Sequence, residues 1–128
     1  MSLVMVVILF PMVVGTVGLG RILQTQMAVS AVAREAALSG ALVDTKAAVK
    51  PTGEGRGYEV GKGYRLTKPP LLVNVDPSNF QRCGSVVAHV TYDLTFGDLP
   101  MLGWAKLQLK ADHVEPVDGF RSNLPGQC

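Results

Sequence analysis

Apolar side chains are distributed unevenly along this chain of 128 residues. Residues 2–20 carry no charge and are almost entirely apolar, whereas the rest of the chain mixes apolar and polar positions. As a helix, residues 2–20 would rise about 28 Å, close to the hydrocarbon thickness of a bilayer. Because no polar face interrupts this run, the pattern predicts a membrane-spanning helix over residues 1–20.

The predicted membrane span contains one proline and three glycines. Pro11 lies in its middle and predicts a kink or a locally melted turn, since proline removes a backbone hydrogen bond. Gly15, Gly18 and Gly20 follow, and small residues there would allow a second helix to approach closely. Glycine is also simply frequent in membrane helices, so this alternative stays open.

The helical pattern continues past Arg21 into an alanine-rich segment. Alanine is the best helix former, and apolar residues recur there at three- and four-residue spacing. Pro51 is expected to end the helix. The sequence therefore predicts an amphipathic extension over residues 21–50, which gives one helix of nearly fifty residues.

The rest of the chain predicts a linker and a small sheet. Residues 51–63 contain five glycines and one proline, a composition typical of a flexible linker. Residues 64–128 are predicted to form a β-domain, because residues 86–96 and 104–114 alternate between apolar and polar positions.

Two weaker β-like runs cover residues 57–67 and 71–75. Residues 97–103 are few enough to return the chain antiparallel. The predicted fold class is α+β, with the long N-terminal helix followed by a small antiparallel sheet of three to four strands packed on it.

The two cysteines, Cys83 and Cys128, are too far apart for a CxxC redox or zinc motif. An even count in a small tethered domain predicts a disulfide in an oxidising compartment, and two unrelated thiols are the alternative. The bond would close a loop of about 45 residues and stabilise the fold by about 3–4 kcal/mol in the chain-entropy model.

Charge and polar residues narrow the function classes. The net charge is +2, and the 12 Lys and Arg residues are scattered, so nucleic-acid binding is not expected. His89 and His113 could be combined with Cys83 as zinc ligands, but no ligand spacing supports this. We interpret both histidines as strand residues on a solvent-facing surface.

No catalytic constellation stands out. Ser85, His89 and Asp93 could be cast as a triad, but the flanking pattern of a nucleophile elbow is missing. We therefore expect no enzyme, no cofactor, no metal and no small-molecule substrate.

Three short motifs follow one another in the first forty or so residues: Leu9-Phe10-Pro11, Leu19-Gly20-Arg21 and Ala33-Arg34-Glu35-Ala36-Ala37. Their order and spacing resemble the TadE-like family, pilin-related proteins of the tight-adherence (Tad, or Flp pilus) machinery. That family typically shows an apolar run ending in Leu-Pro, then a Gly-Arg element, then Ala-Ala-Arg-Glu-(Gly/Ala)-Ala.

The chain departs from the pattern at its start. Members of the family carry a short basic leader that a prepilin peptidase removes, and a glutamate at the fifth mature position, where this sequence has Met5. Without that glutamate, a permanently membrane-resident accessory subunit is favoured over a polymerising one.

Membrane orientation is a separate question. Arg21 and Arg34 follow the span, so the positive-inside rule alone would place the C-terminal domain inside. The cysteines favour the outside, and a basic leader upstream of Met1 would reconcile the two. A signal peptide cut after Ala31-Val32-Ala33 is the alternative, but the apolar run is long for one and Arg21 interrupts it.

The resemblance implies a minor pilin-like (pseudopilin) structural subunit of a Tad-type apparatus, single-pass in the inner or cytoplasmic membrane, with its C-terminal domain extracytoplasmic. Its partners would be other pilin-like subunits, Tad membrane platform proteins and the lipid bilayer, with residues 22–43 docking against other pilin helices. The residues expected to serve assembly are Pro11, Gly15, Gly18, Gly20, Arg21, Arg34 and Glu35, with Cys83 and Cys128 as a staple.

Two alternatives belong to other classes of protein. One is a membrane-tethered extracytoplasmic binding domain that is not part of a filament. The other is a membrane enzyme, which would need a polar cluster that the sequence does not offer.

Overall fold

Two helices precede three strands in the computed structural model, which describes residues 2–68 and 70–128. Helices α1 and α2 span Ser2–Ala41 and Lys46–Gly63. Strands β1, β2 and β3 span Leu72–Asp76, Ser85–Thr95 and Lys106–Pro116. A long N-terminal helix thus carries a three-stranded antiparallel sheet, which confirms the predicted α+β class.

Helix α1 runs without interruption through Pro11. The predicted local melting at this residue is therefore wrong. A proline removes one backbone hydrogen bond, and the turns on either side keep theirs. Within the described residues, α1 is the one helix long and apolar enough to cross a membrane.

Helix α1 ends at Ala41, and the chain turns over residues 42–45 before it enters α2. Pro51 lies inside α2, as do the five glycines of residues 51–63. The predictions of a helix up to residue 50 and of a flexible linker over 51–63 are therefore wrong. The physical reason is packing: Gly53, Gly57 and Gly61 recur every fourth residue and lie buried on one face of α2.

Helix α2 ends in a Schellman motif. The N–H of Leu66 donates to the carbonyl of Gly61 at 2.8 Å, and the N–H of Arg65 donates to that of Lys62 at 3.0 Å. Arg65 has the left-handed backbone of this cap, with φ of 62°. Residues 57–63 thus belong to a helix and 64–66 to its cap, which makes the β-like prediction for 57–67 wrong.

The sheet has the order β1-β2-β3, and both pairings are antiparallel. Its strands confirm the apolar runs predicted at 71–75, 86–96 and 104–114 to within a few residues. Alternate residues Val86, Ala88 and Val90 point towards the helices and are fully buried. Helix α1 covers β2 and β3, and α2 covers β1, so the core lies between one layer of helices and one sheet.

Candidate assembly surface

Most of the first half of α1 extends beyond the domain, and only its end near Gly18 contacts it. We call residues 2–20 the anchor segment. Its large apolar side chains are solvent-exposed, including Leu3 at 79%, Met5 at 68% and Met12 at 65%. A continuous apolar surface of this size is unfavourable in water, so it requires a lipid or protein environment. Helix α1 is thus compatible with a single-pass membrane anchor.

The glycines predicted to serve assembly differ in their surroundings. Pro11, Gly15 and Gly20 are exposed, and among the described residues no side chain or distant backbone lies within 4 Å of a Cβ built on either glycine. Gly18 is buried, and a Cβ there would lie 3.5 Å from a methyl carbon of Leu102. Gly18 therefore faces its own chain and is not available to a second helix.

Arg21 also faces its own chain. Its Nη1 and Nη2 atoms donate to Oδ1 and Oδ2 of Asp98 at 2.6 and 2.5 Å. Hydrogen bonding by the guanidinium holds the pKa of the Asp98 carboxyl below its ordinary value. This two-pronged ion pair joins α1 to the β2–β3 loop, which we define as residues 96–105.

Arg34 and Glu35 also differ in their surroundings: one is exposed, and the other faces its own chain. The Arg34 side chain is exposed, and it makes no hydrogen bond or ion pair within residues 2–68 and 70–128. The Glu35 carboxylate is half-buried and lies 3.8 Å from Nε of Arg56 in α2. Arg34 is therefore free to meet a partner, whereas Glu35 contributes to the contact between α1 and α2.

The alanine-rich face of α1 is internal. The buried residues of this face belong to the hydrophobic core: Ala28, Ala33, Ala36, Ala37 and Ala41. The prediction that the small-residue face of 22–43 docks against other pilin helices is wrong for these residues, because the sheet and α2 already cover them. The opposite face of α1 remains open, and Leu23 and Met27 are 57% and 73% exposed there.

Cys83 and Cys128 form the predicted disulfide, with Cα atoms 5.5 Å apart. It closes the C-terminal tail, residues 117–128, onto the turn before β2. Arg82 adds to this closure, because its Nε donates to the carbonyl of Arg121 at 2.7 Å and its N–H to that of Pro125 at 3.0 Å.

Arg121 is a structural residue that sequence reasoning missed. Its guanidinium donates to the carbonyl oxygens of Ala41, Leu42 and Val43 at 2.7–3.1 Å and to the Asp44 carboxylate at 2.8 Å. The last carbonyls of a helix lack intrahelical partners, so a cation there is stabilising. The signal was too weak to find, because any of the 12 basic residues could have served.

The two histidines lie on opposite faces of the sheet. His89 is on the open face, where its Nδ1 lies 2.7 Å from Oδ1 of Asp112. His113 pairs with the buried Ala88 and so points to the helix side, with Nε2 3.2 Å from Oε2 of Glu115. The solvent-facing interpretation holds for His89 and is wrong for His113. In the part of the chain that the structure describes, no three His, Cys, Asp or Glu residues are grouped to hold a metal.

These observations define a class of protein: a small α+β domain carried on a long helix whose free half is apolar and exposed. Residues 1–38 match the family model described as TadE-like protein. This match confirms the resemblance seen in the motifs of the first forty or so residues and suggests a Tad pilus-related protein. Comparisons with curated proteins and with solved structures give no match.

Proposed function

We propose that the chain is a minor pilin-like (pseudopilin) structural subunit of a Tad-type pilus or secretion apparatus. The observation that carries this proposal is the TadE-like match over residues 1–38, the part of the chain that contains the exposed apolar helix. The subunit would act by packing: the anchor segment holds it in the membrane, and the open face of α1 contacts other subunits.

The open face of α1 is the surface we assign to assembly. Gly20, Leu23, Met27 and Arg34 are exposed and follow one another at intervals of three, four and seven residues. These intervals place them on one side of a helix. Leu23 and Met27 supply apolar area, and Arg34 supplies a charge that has no partner among residues 2–68 and 70–128. This face continues from the anchor segment into the domain, so one partner helix could follow both.

The disulfide supports an extracytoplasmic position for the domain. Disulfides persist in oxidising compartments and are rare in the cytosol. Cys83 and Cys128 also join the tail to the turn before β2, at the end of the domain remote from the anchor segment. A single-pass topology with the domain outside the inner or cytoplasmic membrane follows from this reasoning.

Met5 favours a subunit that stays in the membrane. It lies in the anchor segment, 68% exposed, at the position where the family carries glutamate. An apolar side chain there is stable in the hydrocarbon layer. It offers no charge for an ion pair that would align the helix with a neighbouring helix. We therefore propose a membrane-resident accessory role, with incorporation into the filament as the alternative.

Site-specific crosslinking in the native host tests the proposal. A photo-crosslinking amino acid at Met27 should form adducts with other pilin-like subunits or platform proteins of the Tad apparatus. The matched control is the same amino acid at Phe120, which is 97% exposed but neighbours Arg121 at the far end of α1. Adducts at both positions would contradict assembly through α1 in particular. Adducts at neither position would contradict assembly and would favour a tethered binding domain.

A further inference from the structure

We propose that the β2–β3 loop is a second membrane contact, which enters the interfacial layer of the bilayer beside the anchor segment. The inference rests on the proposed membrane anchoring of α1 and adds a partner for a different part of the chain. Its ligand is the lipid surface itself, met by exposed aromatic and apolar side chains.

The loop is rooted in the domain core through the buried Phe96, and its leucines also lie against the anchor segment. Leu102 and Leu99 approach Gly18, with methyl carbons 3.5 and 4.0 Å from a Cβ built there. A shallow cleft lies at this contact, and Phe96 and Ala105 line it together with Gly15 of the anchor segment. The loop therefore folds back along the part of α1 that precedes Arg21.

Arg21 fixes the depth of the loop relative to the bilayer. It is the first charged residue after the anchor segment, and its partner Asp98 is the one charged residue of the loop sequence. Gly18 lies three residues before Arg21, which is about 4.5 Å deeper along a helix. If residues 2–20 are surrounded by hydrocarbon, Leu102 must reach below the level of the Arg21–Asp98 pair.

The remaining side chains of the loop suit that depth. Trp104 is 82% exposed and Met101 is 68% exposed, although both are large and apolar. The indole N–H of Trp104 donates to the carbonyl of Met101 at 3.0 Å, so its polar atom already has a partner. Tryptophan is enriched where membrane helices meet the headgroups, since its ring is largely apolar with one polar edge.

A groove on α1 brings further interfacial residues to Arg21. It is lined by Arg21, Tyr64 and Arg65 among others, and Tyr64 is 54% exposed. An aromatic ring and a second cation thus lie near the same helix position as the loop. Tyrosine and arginine are residues that membrane surfaces attract, so the end of the groove at Arg21 suits the interfacial layer. Met27 lines the groove six residues farther from the anchor segment, on the face assigned to assembly.

Fluorescence quenching by brominated lipids tests the inference in the full chain, because Trp104 is the only tryptophan. The protein is reconstituted in phosphatidylcholine vesicles whose acyl chains carry bromine either near the headgroup or near the bilayer centre. We expect shallow bromine to reduce Trp104 emission about twofold and deep bromine to reduce it less, as for a side chain at the interface.

Two variants separate the loop from the anchor. In W104F combined with M12W, the tryptophan reports from the anchor segment and should be quenched most by deep bromine. In W104F combined with F120W, the tryptophan reports from the tail near the end of α1 and should not be quenched. This pattern, with quenching of Trp104 in the native sequence, supports the inference.

The other outcomes overturn it in distinguishable ways. Quenching in the M12W variant without quenching of Trp104 overturns the loop contact and leaves the anchor intact. No quenching in either protein overturns the anchor, and the loop contact with it. Equal quenching in the F120W variant overturns a specific contact, because the whole domain would then lie on the membrane.

Discussion

A methyl group on Gly53 would lie 2.8 Å from the backbone oxygen of Ala36, so α2 can approach α1 this closely only because residue 53 lacks a side chain. The same methyl would lie 2.9 Å from a methyl carbon of Val75 in β1. Gly53 therefore sits where three elements meet. The glycine that suggests flexibility in the sequence is one of the most tightly packed positions in the fold.

The spacing of the α2 glycines matches the spacing of β1. Gly57 lies over Val73 and Gly61 over Leu71, so each four-residue step along α2 corresponds to a two-residue step along the neighbouring chain. Four helical residues rise about 6 Å and two strand residues about 6.6 Å, so the two repeats stay nearly in register. A row of glycines thus forms a groove that alternate apolar side chains fill.

Gly53→Ala should therefore destabilise the protein, and Gly55→Ala should not. Alanine at 53 gains up to about 1 kcal/mol of helix propensity but must displace the backbone of α1, at a typical overpacking cost of about 1–3 kcal/mol. With the full gain in propensity, we expect a net loss of up to about 2 kcal/mol in the free energy of unfolding, measured by urea denaturation of the full chain in detergent micelles.

Gly55 is the matched control because it lies in the same helix, with open space at its Cβ among the described residues. Gly55→Ala should stabilise the protein by about 0.5–1 kcal/mol. If the two variants gave the same change, the close approach of α2 to α1 would be contradicted.

The sequence was sufficient for the parts of the fold that depend on local pattern. The alternation in β2 and β3 and the even cysteine count predicted two strands and the disulfide that the structure contains, and the uncharged residues 2–20 predicted the helical part of the anchor segment. It was insufficient for α2, because glycine at every second to fourth position reads as a linker unless its partner strand is known. Gly53 and Gly57 favour a helix here only because it packs closely against Val75 and Val73 of β1.

The site residues show the same limit. The motifs around Gly20 and Arg34 led to the TadE-like resemblance, but not to the direction each side chain takes. Gly18 and Arg21 both contact the β2–β3 loop. Arg21 pairs there with Asp98, which lies 77 residues later in the sequence. Pairings over such distances depend on the tertiary fold, which single-residue patterns do not encode.

Arg121→Gln should destabilise the protein through the end of α1. The substitution removes the charge and most of the donors that satisfy three carbonyls and Asp44, and the Arg121 side chain is only 21% exposed. Hydrogen bonds from a charged group contribute about 1.5–3 kcal/mol, and water can replace part of this, so we expect a loss of about 1–2 kcal/mol in urea unfolding. Arg34→Gln is the control and should change the free energy by less than about 0.5 kcal/mol, because Arg34 is exposed. If the two substitutions had equal effects, the role of Arg121 in capping the end of α1 would be contradicted.

Reduction of the disulfide should loosen the tail and its contacts together. The bond spans 45 residues, so its loss should cost about 3–4 kcal/mol in the chain-entropy model. The Cys83→Ser, Cys128→Ser double variant and the reduced native protein should unfold at the same urea concentration, below that of the oxidised protein. In the reduced protein, Arg121→Gln should cost less than in the oxidised one, since a free tail no longer holds the guanidinium at α1. Strictly additive losses would show that the tail stays in place without the bond.

Acid should release the β2–β3 loop before it unfolds the domain. Arg21 lowers the pKa of Asp98, so the ion pair stabilises the folded state above the ordinary aspartate pKa of about 3.9 and loses that contribution as pH falls through the lower, folded-state pKa. Trp104 lies in the same loop, and its emission should change in this acidic range while the far-UV circular dichroism stays constant.

Asp98→Asn should remove this acidic change in Trp104 emission, because the asparagine side chain does not titrate. Asp76→Asn is the matched control: the pKa of Asp76 is also lowered, mainly by the backbone N–H of Ser78 at 2.8 Å, but Asp76 pairs with Val87 at the far end of β2 from the loop. The emission change should therefore persist in Asp76→Asn. If it persisted in Asp98→Asn as well, the Arg21–Asp98 pair would not be what holds the loop against α1.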